Sequence, residues 1–130
     1  MISIVADTQA LVWHLTDPAR LGRAAQRALV AVDSGRWSCH VPAIALVELS
    51  LLYERRRVRV STADVIAALT DHPGFAVLAL DLEQAVEFAA LPGLRDPMDR
   101  LIVAAAIATS SRLISSDEKL DGYGVDRIWD

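Results

Sequence analysis

Five acidic residues stand at positions where their carboxylates could share one site. Asp7 ends an apolar run near the N-terminus, and Asp117 ends another near the C-terminus. Asp96 and Asp99 open a third segment, and Glu48 lies within a strongly apolar one. Carboxylates without an accompanying cysteine or histidine pair favour a hard cation such as Mg²⁺ or Mn²⁺. Such an ion orients a water and binds substrate phosphates, so this residue set is suited to phosphodiester hydrolysis.

Each aspartate also has a purely local explanation, because acidic residues are common at helix N-termini. Asp7 would cap the helix that follows it, and Asp117 would cap a short turn over residues 118–120. Asp96 and Asp99 fit the cap and the third position of a later helix, where negative charge opposes the helix dipole. For any one of these residues alone, capping is the simpler interpretation.

Glu48 is harder to explain by local structure. Its neighbours three and four positions away are all apolar: Ile44, Ala45, Leu51, Leu52. A carboxylate buried in such surroundings needs a compensating charge. That charge would come from an arginine in the run at 55–57 or from a bound cation, and a cation would explain all five acids together.

The composition indicates one soluble domain over residues 1–130. A chain of 130 residues with 53% hydrophobic and 23% charged residues can form its own core. The net charge of −4 argues against a basic nucleic-acid coat protein, but it allows a nuclease that gathers carboxylates. One cysteine excludes a disulfide framework and a cysteine-based zinc site. The longest apolar run is too short to cross a bilayer and no basic leader precedes residues 1–6, so we expect a cytoplasmic protein without a signal peptide.

Short apolar runs alternate with helical patterns along the chain. Strands are predicted at 2–6, 37–41, 75–80, 113–115 and 125–129. Helices are predicted at 8–15, 22–33, 43–56, 62–69, 82–91 and 97–109. Short buried strands that alternate with helices are typical of an α/β protein, so we predict a parallel sheet of four to five strands with helices on both faces.

This arrangement would bring the acids together. Ligands of open parallel sheets bind beyond the carboxyl ends of the strands, at the point where the strand order reverses. Asp7 and Asp117 follow the first and fourth predicted strands, and Glu48 lies on the helix after the second. Asp96 and Asp99 begin the helix that leads into the fourth strand. If these strands are neighbours, the acids converge on one edge of the sheet.

Four segments, spread in order over nearly the whole chain, resemble the PIN-domain family and, within it, the VapC-like ribonuclease toxins of type II toxin–antitoxin pairs. The segments are VADT at 5–8, ALVEL at 45–49, DPMDRLIVA at 96–104 and LISSD at 113–117. An isolated Asp-Thr carries no signal, but the ordered set is fairly specific. Its most specific part is the DPMDR sequence followed by SSD.

The resemblance implies a three-layer α/β/α fold, a homodimer, and Mg²⁺- or Mn²⁺-dependent endoribonuclease activity that a small cognate antitoxin inhibits. By position, it implies a quartet of catalytic, metal-binding acids: Asp7, Glu48, Asp99, Asp117. It also implies that Asp96 is an auxiliary acid of the same pocket. Thr8 and Ser116 would supply hydroxyls that position those acids or a water.

Basic and aromatic residues allow two interpretations. Arg55, Arg56 and Arg57 could guide RNA phosphates toward the acids, or they could form a solvated helix end. The same choice applies to three arginines on one helical face: Arg20, Arg23, Arg27. We expect Arg100 to pair with an acid. We expect Trp13 to pack in the core or against a partner rather than to stack on bases.

Two other functions fit parts of the sequence. A non-catalytic binding module of the same fold would use the acids only as helix caps or as partners for another protein's arginines. A phosphoryl-accepting receiver domain would need an acidic pair after the first strand and a lysine after the last. Asp7 is instead followed by Thr8, and the only lysine, Lys119, follows the fourth strand.

Overall fold

The computed structural model describes residues 1–130 and confirms a three-layer α/β/α fold around a parallel sheet. The five strands are β1 Ile2–Ala6, β2 Trp37–Pro42, β3 Phe75–Leu78, β4 Arg112–Ile114 and β5 Arg127–Ile128. The six helices are α1 Thr8–Thr16, α2 Arg23–Asp33, α3 Ala43–Glu54, α4 Thr62–Thr70, α5 Leu82–Ala89 and α6 Pro97–Ala108. None of these helices combines the length and the apolar character needed to cross a membrane.

The strand order places β1 in the middle of the sheet. The order is β3-β2-β1-β4-β5, and every neighbouring pair is parallel. Val5 of β1 is level with His40 of β2 on one side and with Leu113 of β4 on the other. The chain moves outward from β1 to β3 and then crosses back to β4, so the strand order reverses between β1 and β4. The carboxyl ends of these two strands therefore flank the topological switch point.

Alternating side chains of the central strands fill two separate cores. Ile4 and Ala6 of β1 belong to a core shared with α1, α2 and α4, whereas Val5 packs against α6 on the other face. Successive side chains of a strand point to opposite faces, and all three of these residues are fully buried. Apolar residues on both faces are what a doubly covered parallel sheet requires.

The predicted elements are all present with every boundary within two residues of its prediction, and helices α3 and α5 each end two residues early. The strand predicted at 75–80 ends at Leu78, and the amide of the buried Gln84 then bonds to the Ala79 carbonyl oxygen at 2.7 Å. The fifth strand contains only Arg127–Ile128. The helix predicted to end near residue 109 ends at Ala108. A short 3-10 turn over Pro18–Arg20 was not predicted.

Helices α3 and α6 end with a non-glycine residue in the left-handed region. After α3, Arg56 has a φ of 58°, and the amide nitrogens of Arg56 and Arg57 bond to the carbonyl oxygens of Tyr53 and Leu52. These two bonds form a Schellman motif, in which glycine is the usual left-handed residue. The equivalent residue after α2 is Gly35, with a φ of 80°.

We expect Arg56→Gly to raise the free energy of unfolding by up to about 1 kcal/mol, because it removes the left-handed strain at a small cost in chain entropy. The matched control is Arg55→Gly, since Arg55 has a φ of −87° and gains nothing from glycine. Urea denaturation of both variants provides the measurement. An Arg56→Gly variant no more stable than Arg55→Gly would contradict this account of the helix end.

Candidate acidic site

The predicted acids lie at the switch point between β1 and β4. Asp7 directly follows β1, and its backbone amide donates to the carbonyl oxygen of Ile114 at the end of β4. Asp117 lies three residues beyond β4, and Asp99 is in the first turn of α6. Glu48 lies near the middle of α3. The sequence prediction that these elements converge on one sheet edge is confirmed.

The four acids of the predicted quartet line one cleft, which we call the acidic cleft. Its volume is about 380 Å³. The other residues of its wall are Thr8, Gln9, Trp13, Leu52, Ile102, Ser116. A polar floor with few apolar neighbours is suited to a small cation and a phosphate rather than to an apolar ligand.

Asp7 is the innermost acid of the cleft. Its side chain caps α1 by accepting a hydrogen bond from the Ala10 amide at 2.8 Å, so the capping interpretation is also confirmed. Burial raises the pKa of Asp7 to about 6, while hydrogen bonds from Ser115 and Ala10 oppose that rise. The charges of Glu48 and Asp117 raise the pKa further. A cap and a site ligand are therefore compatible roles for one carboxylate.

The pKa of Asp99, on the opposite wall of the acidic cleft, is raised in the same way. Burial raises the pKa of Asp99 to about 6, and repulsion from four other acids adds to that rise. In order of decreasing effect, those acids are Asp96, Asp117, Glu48, Asp7. No basic group lowers the pKa of either Asp7 or Asp99. The cleft therefore concentrates negative charge that this chain does not neutralise, which is characteristic of functional sites.

Glu48 is less buried than its apolar neighbours suggested. The side chain is partly exposed and lines the cleft, and its helix neighbours Val47 and Leu51 are also exposed. None of the four ion pairs in the chain involves Glu48, so the alternative of an arginine partner from residues 55–57 is wrong. The expectation for Arg100 is also wrong: it donates to the Phe88 carbonyl oxygen at 2.8 Å and lies over the Phe88 ring.

Ser115 is a polar residue of the site that the sequence did not reveal. It is fully buried, its hydroxyl accepts a hydrogen bond from the Asp117 amide at 3.1 Å, and it bonds to the side chain of Asp7. Ser115 thus connects the two acids that follow β1 and β4. Its neighbour Ser116 lines the cleft as predicted but is exposed. The predicted hydroxyl of Thr8 points to the Ala45 carbonyl oxygen at 3.5 Å, which links α1 to α3.

Asp96 and Asp117 are both helix caps, as predicted. Asp96 accepts hydrogen bonds from the amides of Met98 and Asp99 at 2.9 and 3.1 Å. Asp117 accepts one from the Lys119 amide at 3.0 Å. Asp96 lines an adjoining cleft with Asp99 and Asp117, outside the acidic cleft itself. Its auxiliary role in ion binding stays a prediction.

The acidic cleft has the donor chemistry of a Mg²⁺ or Mn²⁺ site. Four carboxylates and a hydroxyl face one polar space, and oxygen ligands of this kind suit hard divalent cations. In this structure no three acidic, histidine or cysteine side chains are arranged so that they could bind one metal ion. The carboxylates would therefore have to close inward by side-chain rotation, a movement that their mutual repulsion opposes until a cation is present.

Comparison with known proteins agrees with this geometry. A family model of the PIN domain matches residues 4–125. The chain is 30% identical over 132 residues to Ribonuclease VapC22 of Mycobacterium tuberculosis, covering 95% of this chain and 93% of that protein.

Several solved structures have the same fold. One is VapBC2 from Rickettsia felis bound to a DNA fragment from its promoter, with 14% identity, coverage of 99% and 100% of the two chains, and a TM-score of 0.73. Another is DNA-bound VapBC from Salmonella typhimurium, with 15% identity, coverage of 98% and 97%, and a TM-score of 0.65. These likenesses confirm the fold, while the family model and the curated relative identify the family. The chain therefore belongs to the PIN-domain family, among its VapC-like members.

Proposed function

We propose that this chain is a Mg²⁺- or Mn²⁺-dependent endoribonuclease that acts in the cytoplasm as the toxin of a toxin–antitoxin pair. The observation that carries the proposal is the acidic cleft at the switch point, where Asp7 and Asp99 have raised pKa values and no basic partner. The relative named Ribonuclease VapC22 supports RNA cleavage as the reaction.

The residues of the acidic cleft would have different roles in the reaction. Asp7, Glu48, Asp99 and Asp117 would hold the ion and keep the centre anionic until it binds. The bound ion would lower the pKa of a water and neutralise charge on the phosphate. Ser115 holds Asp7 and the Asp117 loop in fixed positions, so that these two carboxylates approach the substrate from adjacent strands.

The non-catalytic alternative is less well supported by the geometry. Helix caps alone require no convergence, yet the capping Asp7 and Asp117, from two different elements, line one cleft together with Asp99 and Glu48. Membership of the PIN-domain family excludes the receiver-domain alternative. Lys119 lines the adjoining cleft and not the acidic cleft, and it follows the fourth strand rather than the last.

The proposed experiment is mapping of RNA ends after brief expression of the wild type and of Asp7→Asn in a bacterial host. We expect growth arrest and new 5′ ends at defined sites with the wild type, and neither with the variant. Glu48→Gln and Asp99→Asn should relieve the arrest in the same way. RNA ends that appear equally with the wild type and with Asp7→Asn would argue for the binding-module alternative.

A small antitoxin is the expected protein partner. The related structures from Rickettsia felis and Salmonella typhimurium are VapBC complexes, and one from Klebsiella pneumoniae is described as a toxin–antitoxin complex. The acidic cleft would accept an arginine from such a partner, because a guanidinium group pairs well with carboxylates. Co-purification from the native locus, with loss of RNA cleavage in the complex, tests this proposal. A chain that always purifies alone would contradict it.

We propose that the chain forms a homodimer through the loop after β3 and the start of α5. Leu80, Leu82 and Val86 are 55%, 79% and 60% exposed, and they lie within seven residues of one another. Leu82 and Val86 line one surface pocket together, and clustered exposed apolar residues mark protein interfaces.

We expect Leu82→Glu to convert the dimer to a monomer, because the carboxylate would be desolvated at the centre of the contact. The matched control is Val30→Glu, since Val30 is 50% exposed on α2, far along the chain from this surface. Light scattering coupled to gel filtration measures the mass of each variant. Dissociation by Val30→Glu instead of Leu82→Glu would place the interface on α2.

A further inference from the structure

A second cleft adjoins the acidic cleft and has the opposite charge. We call it the basic cleft; its volume is about 400 Å³. Gln9 and Trp13 line both clefts, so the two are continuous along α1. The other residues of its wall are Val12, Thr16, Asp17, Arg20, Arg57, Val58, Arg59.

Three arginines of the basic cleft have no ionic partner. Arg20, Arg57 and Arg59 are exposed, and none of the four ion pairs in the chain includes them. Asp17 is the only acid in the wall, so the formal charge of the cleft is positive. Guanidinium groups left unpaired beside a carboxylate cleft are available to an anionic ligand that reaches both.

Local structure holds these arginines in place. The Arg20 guanidinium lies 4.7 Å from the centre of the Trp13 ring, at the distance of a cation–π contact. Trp13 is itself supported by Trp129, with the ring centres 5.9 Å apart. Trp13 therefore packs within the protein, as its sequence context suggested, and it also fixes the side chain of Arg20. A guanidinium group ordered in advance loses less entropy when it binds a phosphate.

The segment after α3 presents the other two arginines on one side. The left-handed Arg56 ends the helix, and in the segment that follows, exposed arginines at 57 and 59 alternate with half-buried valines at 58 and 60. Val58 packs against the core, and Arg57 and Arg59 on either side of it are exposed and line the basic cleft together. Of the predicted trio, only Arg57 lines the cleft, whereas Arg20 and Arg59 complete the set.

We propose that the basic cleft binds one phosphate of the RNA strand. This phosphate is the neighbour, along the same strand, of the phosphate that is bound at the acidic cleft. This inference rests on the proposed function, because it assigns a position to the RNA that the acidic cleft would cleave. Trp13 and Gln9 would lie beneath the strand where it passes from one cleft to the other. The arginines would then fix the register of the strand and the minimum length of a good substrate.

The test is the affinity for a fluorescein-labelled single-stranded RNA of about twelve nucleotides, measured by anisotropy in Mg²⁺ at several salt concentrations. Arg20→Gln, Arg57→Gln and Arg59→Gln should each weaken binding severalfold and reduce the salt slope by about 0.7, the value for one phosphate contact on a single strand. The matched control is Arg23→Gln, since Arg23 is an exposed arginine of α2 outside the basic cleft. Arg20→Lys should be intermediate, because it retains the charge but loses the stacking on Trp13.

A kinetic comparison separates this inference from the proposed function. For the same RNA, the arginine variants should raise KM and leave kcat unchanged, while cleavage of a dinucleotide should not change. If the three variants bind and cleave as Arg23→Gln does, the basic cleft is not a phosphate site. If the wild type binds RNA through these arginines but never cleaves it, the inference stands and the proposed reaction fails. If the wild type binds no RNA, both fail.

Discussion

Replacement of Asp7 by asparagine should reduce the rate of RNA cleavage by at least about a hundredfold, which corresponds to about 2.7 kcal/mol of transition-state stabilisation. Asparagine is as good an N-cap as aspartate, so the hydrogen bond to the Ala10 amide and the start of α1 should survive. The change removes the negative charge of the innermost carboxylate and little else. The expected loss is therefore one of ion binding and water activation rather than of folding.

The control for Asp7→Asn is the same substitution at another helix cap. Asp81 caps α5 by accepting a hydrogen bond from the Gln84 amide at 3.0 Å and lies outside the acidic cleft. We expect Asp81→Asn to cleave RNA within about twofold of the wild type. If Asp7→Asn also cleaves within that range, Asp7 is a cap and not a member of the catalytic centre.

The metal-free protein should lose stability as the pH rises from about 4 to above 6. Asp7 and Asp99 have pKa values of about 6 in the folded chain, and an unfolded aspartate has a pKa near 3.9. The folded state thus binds more protons between these values, so its stability is greatest at the acidic end and decreases through pH 6. Asp7, the more buried of the two groups, accounts for a change on the order of 3 kcal/mol, and the partly exposed Asp99 adds less because solvent screens its charge.

Asp99→Asn should flatten this pH profile and unfold at a higher urea concentration than the wild type at pH 7 in chelator. Asp64→Asn is the matched control, because Asp64 occupies the same third helical position of α4 and is exposed. Added Mg²⁺ at a hundredfold excess over its Kd should raise the free energy of unfolding of the wild type by about 2.7 kcal/mol. The gain of the Asp99 variant should be smaller. A wild type whose stability rises between pH 4 and 7 in chelator would contradict the raised pKa values of Asp7 and Asp99.

The positions of the acids could be predicted because backbone topology alone determines them. Asp7 and Asp117 follow buried apolar strands, and parallel strands deliver such residues to the same sheet edge whatever the side-chain details. Asp99 could be placed because proline and aspartate mark the first turn of a helix. At these positions an acidic residue is expected both as part of a helix start and as a member of the shared site. Either interpretation therefore predicts the correct position.

Features that depend on side-chain packing could not be predicted. Ser115 is adjacent to Ser116, and only the exact end of β4 determines which hydroxyl points inward to Asp7. Arg100 follows Asp99, yet the turn of α6 directs it to the Phe88 carbonyl instead of to an acid. Arg20 lies in the same cleft as Arg57, although the two are far apart in the sequence, because Trp13 contacts the Arg20 side chain. No sequence pattern links these two segments.

The most direct test of the acidic cleft as the catalytic centre is cleavage of a labelled RNA by the purified, partner-free chain across a titration of Mn²⁺ that begins in chelator. We expect no cleavage in chelator and a saturable rise with Mn²⁺. Glu48→Gln should shift the midpoint to a higher concentration, while Asp64→Asn should leave it unchanged. Cleavage that persists in chelator, or a midpoint that is the same in the wild type and in Glu48→Gln, would contradict the assignment of these carboxylates to the ion.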